Sequence, residues 1–277
     1  MNDKKLESLI LRLYDKHYDE LREVNGHMKK YHPWFPPTNT GIQTVEMENE
    51  INWLLIRHSK PEIVVEMSPC SGWSSCWILD ALHRNGSGRL LSYDLIDDSR
   101  HRVPIVCPYT INSEMYYFIL GDCKERWKET LTIHKNQLMQ DKKIDYVFID
   151  SDHSDKFAKW YLEKIFPKVS DNCYFAVHDV IDPSTGEIKN TKGSRGYKNV
   201  GRASDGALLK TVDDGLEFAR LLNYLRKNKI PYVNPNGYGK SPIGKKRKRK
   251  RVLQTIHNCP PIATSAIFFQ KKIKHKH

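Results

Sequence analysis

Cysteine is scarce and carries no pattern in this chain. Six cysteines stand at positions 70, 76, 107, 123, 173 and 259 of 277 residues. None makes a Cys-x-x-Cys pair, and none joins histidines at zinc-finger spacing. They read as free, mostly buried thiols, and no structural zinc site is expected. Long apolar runs are missing too. Stretches such as 146–149 and 266–269 fall far short of the roughly 18 residues a membrane span needs. The N-terminus has charges every few residues and no secretory apolar region, so a soluble, cytoplasmic protein without membrane contact is expected. Neither Gly-x-Gly-x-x-Gly nor Gly-x-x-x-x-Gly-Lys-Ser/Thr occurs, which argues against dinucleotide and nucleoside-triphosphate sites. No internal repeat is visible.

What is present supports a folded core. Hydrophobic residues make up 39% of the chain and charged residues 28%, a balance that excludes wholesale disorder. The length suits one sizeable domain with at most an appendage. The net charge of +12 is concentrated. Lys245, Lys246, Arg247, Lys248, Arg249, Lys250 and Arg251 supply seven positive charges, and Lys271, Lys272, Lys274 and Lys276 four more. The rest of the chain is close to neutral, so a basic loop and tail are implied rather than a basic fold face. Three readings of the 245–251 run stay open: a solvated loop, a nuclear localisation signal, or an arm for polyanions. No aromatic residue is interleaved with the run, which disfavours a single-strand stacking platform.

Periodicity divides the chain in two. Leu6, Leu9, Ile10, Leu13, Leu21 and Val24 mark an amphipathic helix, with Asn25-Gly26 expected to end it. A second helix is expected over 44–58 and is stopped by Pro61. Residues 1–60 thus read as a helical cap. From 61 to 277 short apolar runs alternate with helical segments, with a basic loop at 240–255. Strands are expected at 62–67, 89–94, 116–120, 145–150 and 173–177, and helices at 73–82, 125–139 and 156–166. Repeated β–α order predicts an open α/β sheet with right-handed crossovers. Residues 181–206 lose periodicity and read as a functional loop or a mobile one. A helix over 208–227 and strands at 232–234 and 264–270 close the chain.

Ligands of such sheets bind at the carboxyl ends of the strands. After the first strand comes Glu66-Met-Ser68-Pro-Cys-Ser-Gly72-Trp-Ser74-Ser, a small-residue turn entering a helix, suited to a carboxylate or phosphate. The second strand ends at Asp94, the third at Gly121-Asp122, the fourth at Asp150-Ser-Asp152-His153 and the fifth at His178-Asp179. One or two acidic endings are ordinary turn chemistry; five in succession point to one site. Singly, Asp94 also reads as a strand-end cap, Asp122 as a common turn, and His178 as a hydrogen-bonded core histidine.

These residues resemble class I S-adenosylmethionine-dependent methyltransferases, and within them the catechol O-methyltransferase-like group that includes sugar and cephalosporin-type enzymes. The resemblance implies a Rossmann-like seven-stranded sheet, mostly parallel with the last strand antiparallel, helices on both faces and an N-terminal helical cap. It implies that Glu66, Ser68, Gly72 and Ser74 line the amino-acid end of S-adenosyl-L-methionine, with Asp94 at its ribose and Asp122 by its adenine. Asp150 and Asp179 would be ligands of a divalent cation such as Mg²⁺, with Asp152, His178 or water completing the shell, unless the site is metal-free. His153 lies three residues after Asp150, where catechol-type relatives carry a lysine base. An imidazole with an ordinary pKa of roughly 6.5 suits a base near neutrality. Two departures stand out: Ser68 replaces a family glycine, and Val180 replaces an asparagine after the second metal aspartate.

The expected activity is metal-assisted O-methylation of a small-molecule or sugar hydroxyl. Methyltransfer to RNA or protein, and a non-catalytic polyanion-binding role on the same scaffold, are the alternatives. Nucleic acid enters only through Lys245 to Arg251. The first helix can pack on its own core or on another subunit, so a homo-oligomer stays open.

Overall fold

Short runs of β-branched and aromatic residues can bury both faces of a sheet. In the computed structural model, which describes residues 3–31, 43–139, 142–180, 217–233 and 266–271, such runs form the middle of the molecule. They are β1 (Ile63–Met67), β2 (Arg89–Asp94), β3 (Tyr116–Leu120), β4 (Ile144–Ile149) and β5 (Val169–Val177), completed by β6 (Tyr232–Val233) and β7 (Ile267–Gln270). All seven join one sheet in the order β3-β2-β1-β4-β5-β7-β6. β1 pairs in parallel with β2 and β4, β2 with β3, and β4 with β5. β7 runs antiparallel to both β5 and β6. Strand order reverses between β1 and β4, the place at whose carboxyl ends ligands of such sheets bind.

Eight α-helices are described: α1 (Asp3–Lys16), α2 (Tyr18–Tyr31), α3 (Gln43–Ser59), α4 (Trp73–Asn85), α5 (Asp98–Val106), α6 (Cys123–Thr132), α7 (Asp155–Lys164) and α8 (Glu217–Lys227). Alternate residues of each strand feed different cores. Val64, Leu90, Phe148 and Ala176 pack with α1 to α5 on one face. Ile63, Val65, Leu91, Val147 and Phe175 pack with α6, α7 and α8 on the other. The N-terminal helices therefore share a core with the sheet.

The structure differs from expectation in several elements. The first helix is two, broken at His17, and the second runs through Asn25-Gly26 to Tyr31. Asn25 does not end it because its buried amide donates to Leu21 O at 3.0 Å and Glu50 Oε1 at 2.8 Å, which satisfies it inside the helix. The helix expected over 125–139 starts at Cys123 and ends at Thr132, with a separate π turn over Lys135–Met139. α5 was not expected at all: Pro104 lies inside it and its apolar face is only a few residues wide. The 181–206 loop, residues 208–216 of the expected α8 helix and the 245–251 run lie outside the described residues. Among the described residues no helix is long and apolar enough to cross a membrane.

Candidate active site

The register sets the stage: Met67 at the end of β1 pairs with Tyr93 of β2 and Ile149 of β4. The turns leaving these strands therefore emerge side by side. The β1–α4 turn is tightly wound, with positive φ at Ser68 (+61), Cys70 (+52) and Gly72 (+88). Only Gly72 is free of the strain this imposes on L residues. Gly72 also has no room for a side chain, since a Cβ there would come within 2.7 Å of Val103 Cγ2 and 2.8 Å of Ser99 Cβ. α5 thus backs the turn directly.

Beneath the turn sits Glu66, fully buried. Its Oε1 accepts Ser74 Oγ–H at 2.6 Å, and its Oε2 accepts Ser75 Oγ–H at 2.6 Å and Ser92 Oγ–H. Burial pushes its carboxyl above the usual range, the three hydroxyls pull it back, and the neighbouring Asp94 pushes it up again. Glu66 ties the start of α4 to β2 from below. Asp94 is buried at the end of β2; its Oδ2 accepts Cys70 N–H at 2.7 Å and its Oδ1 accepts Ile96 N–H at 3.3 Å. The turn, Asp94 and Gly72 form a small backbone-lined cradle. Gly72 is the N-cap of α4 and brings no side-chain cap, which leaves the helix start suited to an anionic group. That donor set fits an amino acid joined to a ribose. Asp122 is exposed and caps α6, its Oδ1 accepting Lys124 N–H at 2.7 Å, so in this structure its partner is the helix start.

A second group assembles at the ends of β4 and β5. His153 is buried, with Nε2 3.7 Å from Asp150 Oδ1 and 3.9 Å from Asp179 Oδ2. His178 Nε2 is 3.3 Å from Asp179 Oδ1, and its Nδ1 is 2.7 Å from Glu48 Oε2 of α3. Burial alone would favour a neutral His178 ring. The carboxylates of Asp150, Glu48 and Asp179 outweigh it and hold the imidazole pKa well above the ordinary value. Burial raises the Asp150 carboxyl, opposed by His178 and His153.

The expected metal shell does not form here. Asp152 is exposed and turned away, its Oδ2 accepting Ser154 Oγ–H at 2.9 Å, because Ser154 caps α7. Asp150 and Asp179 do converge, but around imidazoles rather than around a space lined by oxygens. Among the described residues no three His, Cys, Asp or Glu side chains are placed to hold a metal ion. The donor set does not fit a hard cation such as Mg²⁺, which takes oxygen ligands.

Residues 65–180 match the family model described as a methyltransferase domain. This segment is a methyltransferase domain. It contains every site residue expected from the sequence, from Glu66 to Asp179. None of the curated protein sequences matches the chain. Among solved structures, a candidate caffeoyl-CoA O-methyltransferase from Staphylococcus aureus superposes with TM-score 0.53 at 12% identity, covering 95% of this chain and 98% of that one. The O-methyltransferase TomG from Streptomyces achromogenes, involved in tomaymycin synthesis and solved with S-adenosylmethionine, gives 0.51 at 12% identity over 92% and 91%. An O-methyltransferase from Bacillus cereus, solved with S-adenosylhomocysteine, gives 0.50 at 11% identity over 92% and 90%. At such identities the likeness is one of fold.

The methyltransferase domain also uses residues that the sequence reading missed. Ser75 and Ser92 join Ser74 on Glu66, and Glu48 reaches His178 from outside the 65–180 segment. Glu48 had a legible signal: it stands three residues before Ile51 and seven before Leu55, on the apolar stripe of α3. An acid on a buried stripe calls for a partner.

Proposed function

We propose that this methyltransferase domain transfers the methyl group of S-adenosylmethionine to the oxygen of a small-molecule hydroxyl, with His153 as the base. The observation that carries this reading is the adjacency of two different sites on one sheet edge. At the ends of β1 and β2 lies a cradle of positive-φ backbone with Asp94 beside it. At the ends of β4 and β5 lies a buried imidazole between two carboxylates.

Bound S-adenosylmethionine supplies an electrophilic methyl group on a sulfonium. The start of α4 would hold its carboxylate, and Asp94 would hold the ribose hydroxyls. Glu66 acts from below, fixing the serines and hence the turn. On the acceptor side, His153 Nε2 stands 3.7 Å from Asp150 Oδ1 and 3.9 Å from Asp179 Oδ2, so both carboxylates face the imidazole. With the methyl donor bound, His153 would take the acceptor proton at Nε2 while the hydroxyl oxygen accepts the methyl group, the donor departing as a neutral sulfide. Asp150 and Asp179 stabilise the imidazolium so formed, a role that needs no metal. Holding acceptor and methyl in line supplies much of the remaining acceleration.

The test is His153→Ala, assayed by labelled methyl transfer to a panel of phenolic and sugar hydroxyls. The expected result is a fall in kcat of about 10²- to 10⁴-fold, typical for loss of a general base, with S-adenosylmethionine affinity retained. An unchanged kcat across pH would remove His153 from the reaction.

A further inference from the structure

Ser68 holds a backbone conformation that disfavours it. Its φ of +61 lies in the left-handed region, where glycine is at ease and a Cβ is crowded, and the family resemblance places glycine at this position. The serine brings a contact that glycine lacks. Its Oγ–H donates to Ser151 Oγ at 2.8 Å. Ser151 is the residue between Asp150 and Asp152, two before His153. The two turns already touch through backbone: Met67 pairs with Ile149, and Asp150 N–H donates to Met67 O at 3.2 Å. Ser68 N–H also donates to Tyr93 O at 2.8 Å, so the residue is anchored to β2 on one side and to the β4 turn on the other. The hydroxyl pair carries the β1–β4 connection past the last paired strand residues, from the cofactor cradle into the segment bearing Asp150 and His153.

We infer that Ser68 is a positioning residue whose hydroxyl, through Ser151, couples occupancy of the β1–α4 turn to the order of the turn that carries Asp150 and His153. The inference rests on the reading above that this turn receives the cofactor. Filling the cradle further restrains Ser68, and its hydroxyl then restrains Ser151, so the turn that carries the base opens less often when the methyl donor is bound. This is a population shift with a named connector.

The experiment needs no acceptor. Amide hydrogen exchange of residues 150–155 is followed with and without saturating S-adenosylhomocysteine, whose affinity is measured in parallel by calorimetry. The wild-type protein is expected to bind it, and exchange over 150–155 to slow about tenfold, the size of effect one hydrogen bond can produce. Ser151→Ala, which leaves the β1–α4 backbone untouched, is expected to bind within about threefold of wild type yet lose that slowing, and Ser68→Gly is expected to lose the slowing at saturating ligand whatever its affinity. Ser151→Thr keeps a hydroxyl and is expected to retain it. Wild-type slowing in Ser68→Gly and Ser151→Ala, or none in the wild type with ligand bound, would overturn the inference alone. Failure of the wild type to bind S-adenosylhomocysteine would overturn the functional reading and the inference together.

Discussion

The two halves of the sheet edge hold their acids in different ways. At the ends of β1 and β2, Glu66 and Asp94 are engaged at 2.6–2.7 Å by serine hydroxyls and a backbone N–H. At the ends of β4 and β5, Asp150 and Asp179 face imidazole nitrogens at 3.3–3.9 Å. The first half is a rigid frame made of neutral donors, built to present a turn. The second is a loose set of exchangeable protons. Fixed geometry suits binding a cofactor, and proton exchange suits the step in which an acceptor loses its hydrogen.

The frame can be broken by Glu66→Leu. Three hydroxyls would then lose their buried acceptor, at a cost of about 3 kcal/mol. Thermal unfolding should show a drop in Tm of several degrees, with cofactor affinity falling alongside. A drop without any change in affinity would mean that the frame supports the fold but not the site.

A smaller effect separates Asp122 from that frame. Asp122→Ala should cost about 1 kcal/mol, the value of a helix N-cap, and leave S-adenosylmethionine affinity unchanged by calorimetry. Lost affinity would instead restore Asp122 to the adenine role that the resemblance implies.

The smallest effect concerns the proton-bearing half. His178 has a pKa raised above its ordinary value in the folded state, because Asp150, Glu48 and Asp179 outweigh burial. The folded state therefore holds the His178 proton more tightly than the unfolded chain does. This contribution is fully present below the ordinary histidine pKa and is lost as pH rises from there through the folded value. Urea unfolding midpoints should fall over that window in the wild type and fall less in His178→Gln. Equal slopes would show that His178 carries no such proton.

Much of this arrangement was legible in the residues. The runs RLLSYD and YYFIL coincide with β2 and β3 residue for residue, because short runs rich in apolar and aromatic residues suit a strand, wholly buried in β2 and only half-buried at the edge in β3. Asp94, Asp150 and Asp179 were found because each stands at or just past a strand end, and Glu66 because it leads into the small-residue turn after β1. The illegible parts were non-local. Whether Asp152 turns inward depends on Ser154 capping α7, and whether Glu48 meets His178 depends on packing across 130 positions. α5 was hidden by Pro104, yet it is the element that closes on Gly72. The expected metal shell came from the family resemblance; the structure gives Asp150 and Asp179 imidazole neighbours and Asp152 a serine.

Calorimetric titration of S-adenosylmethionine into the wild-type protein and into Asp94→Ala tests the central claim most directly. The account predicts one site per chain in the wild type and affinity weakened about tenfold or more in the variant, as expected for loss of a charged hydrogen-bond partner. Heat of the same size and affinity in both proteins, or none in either, would contradict it.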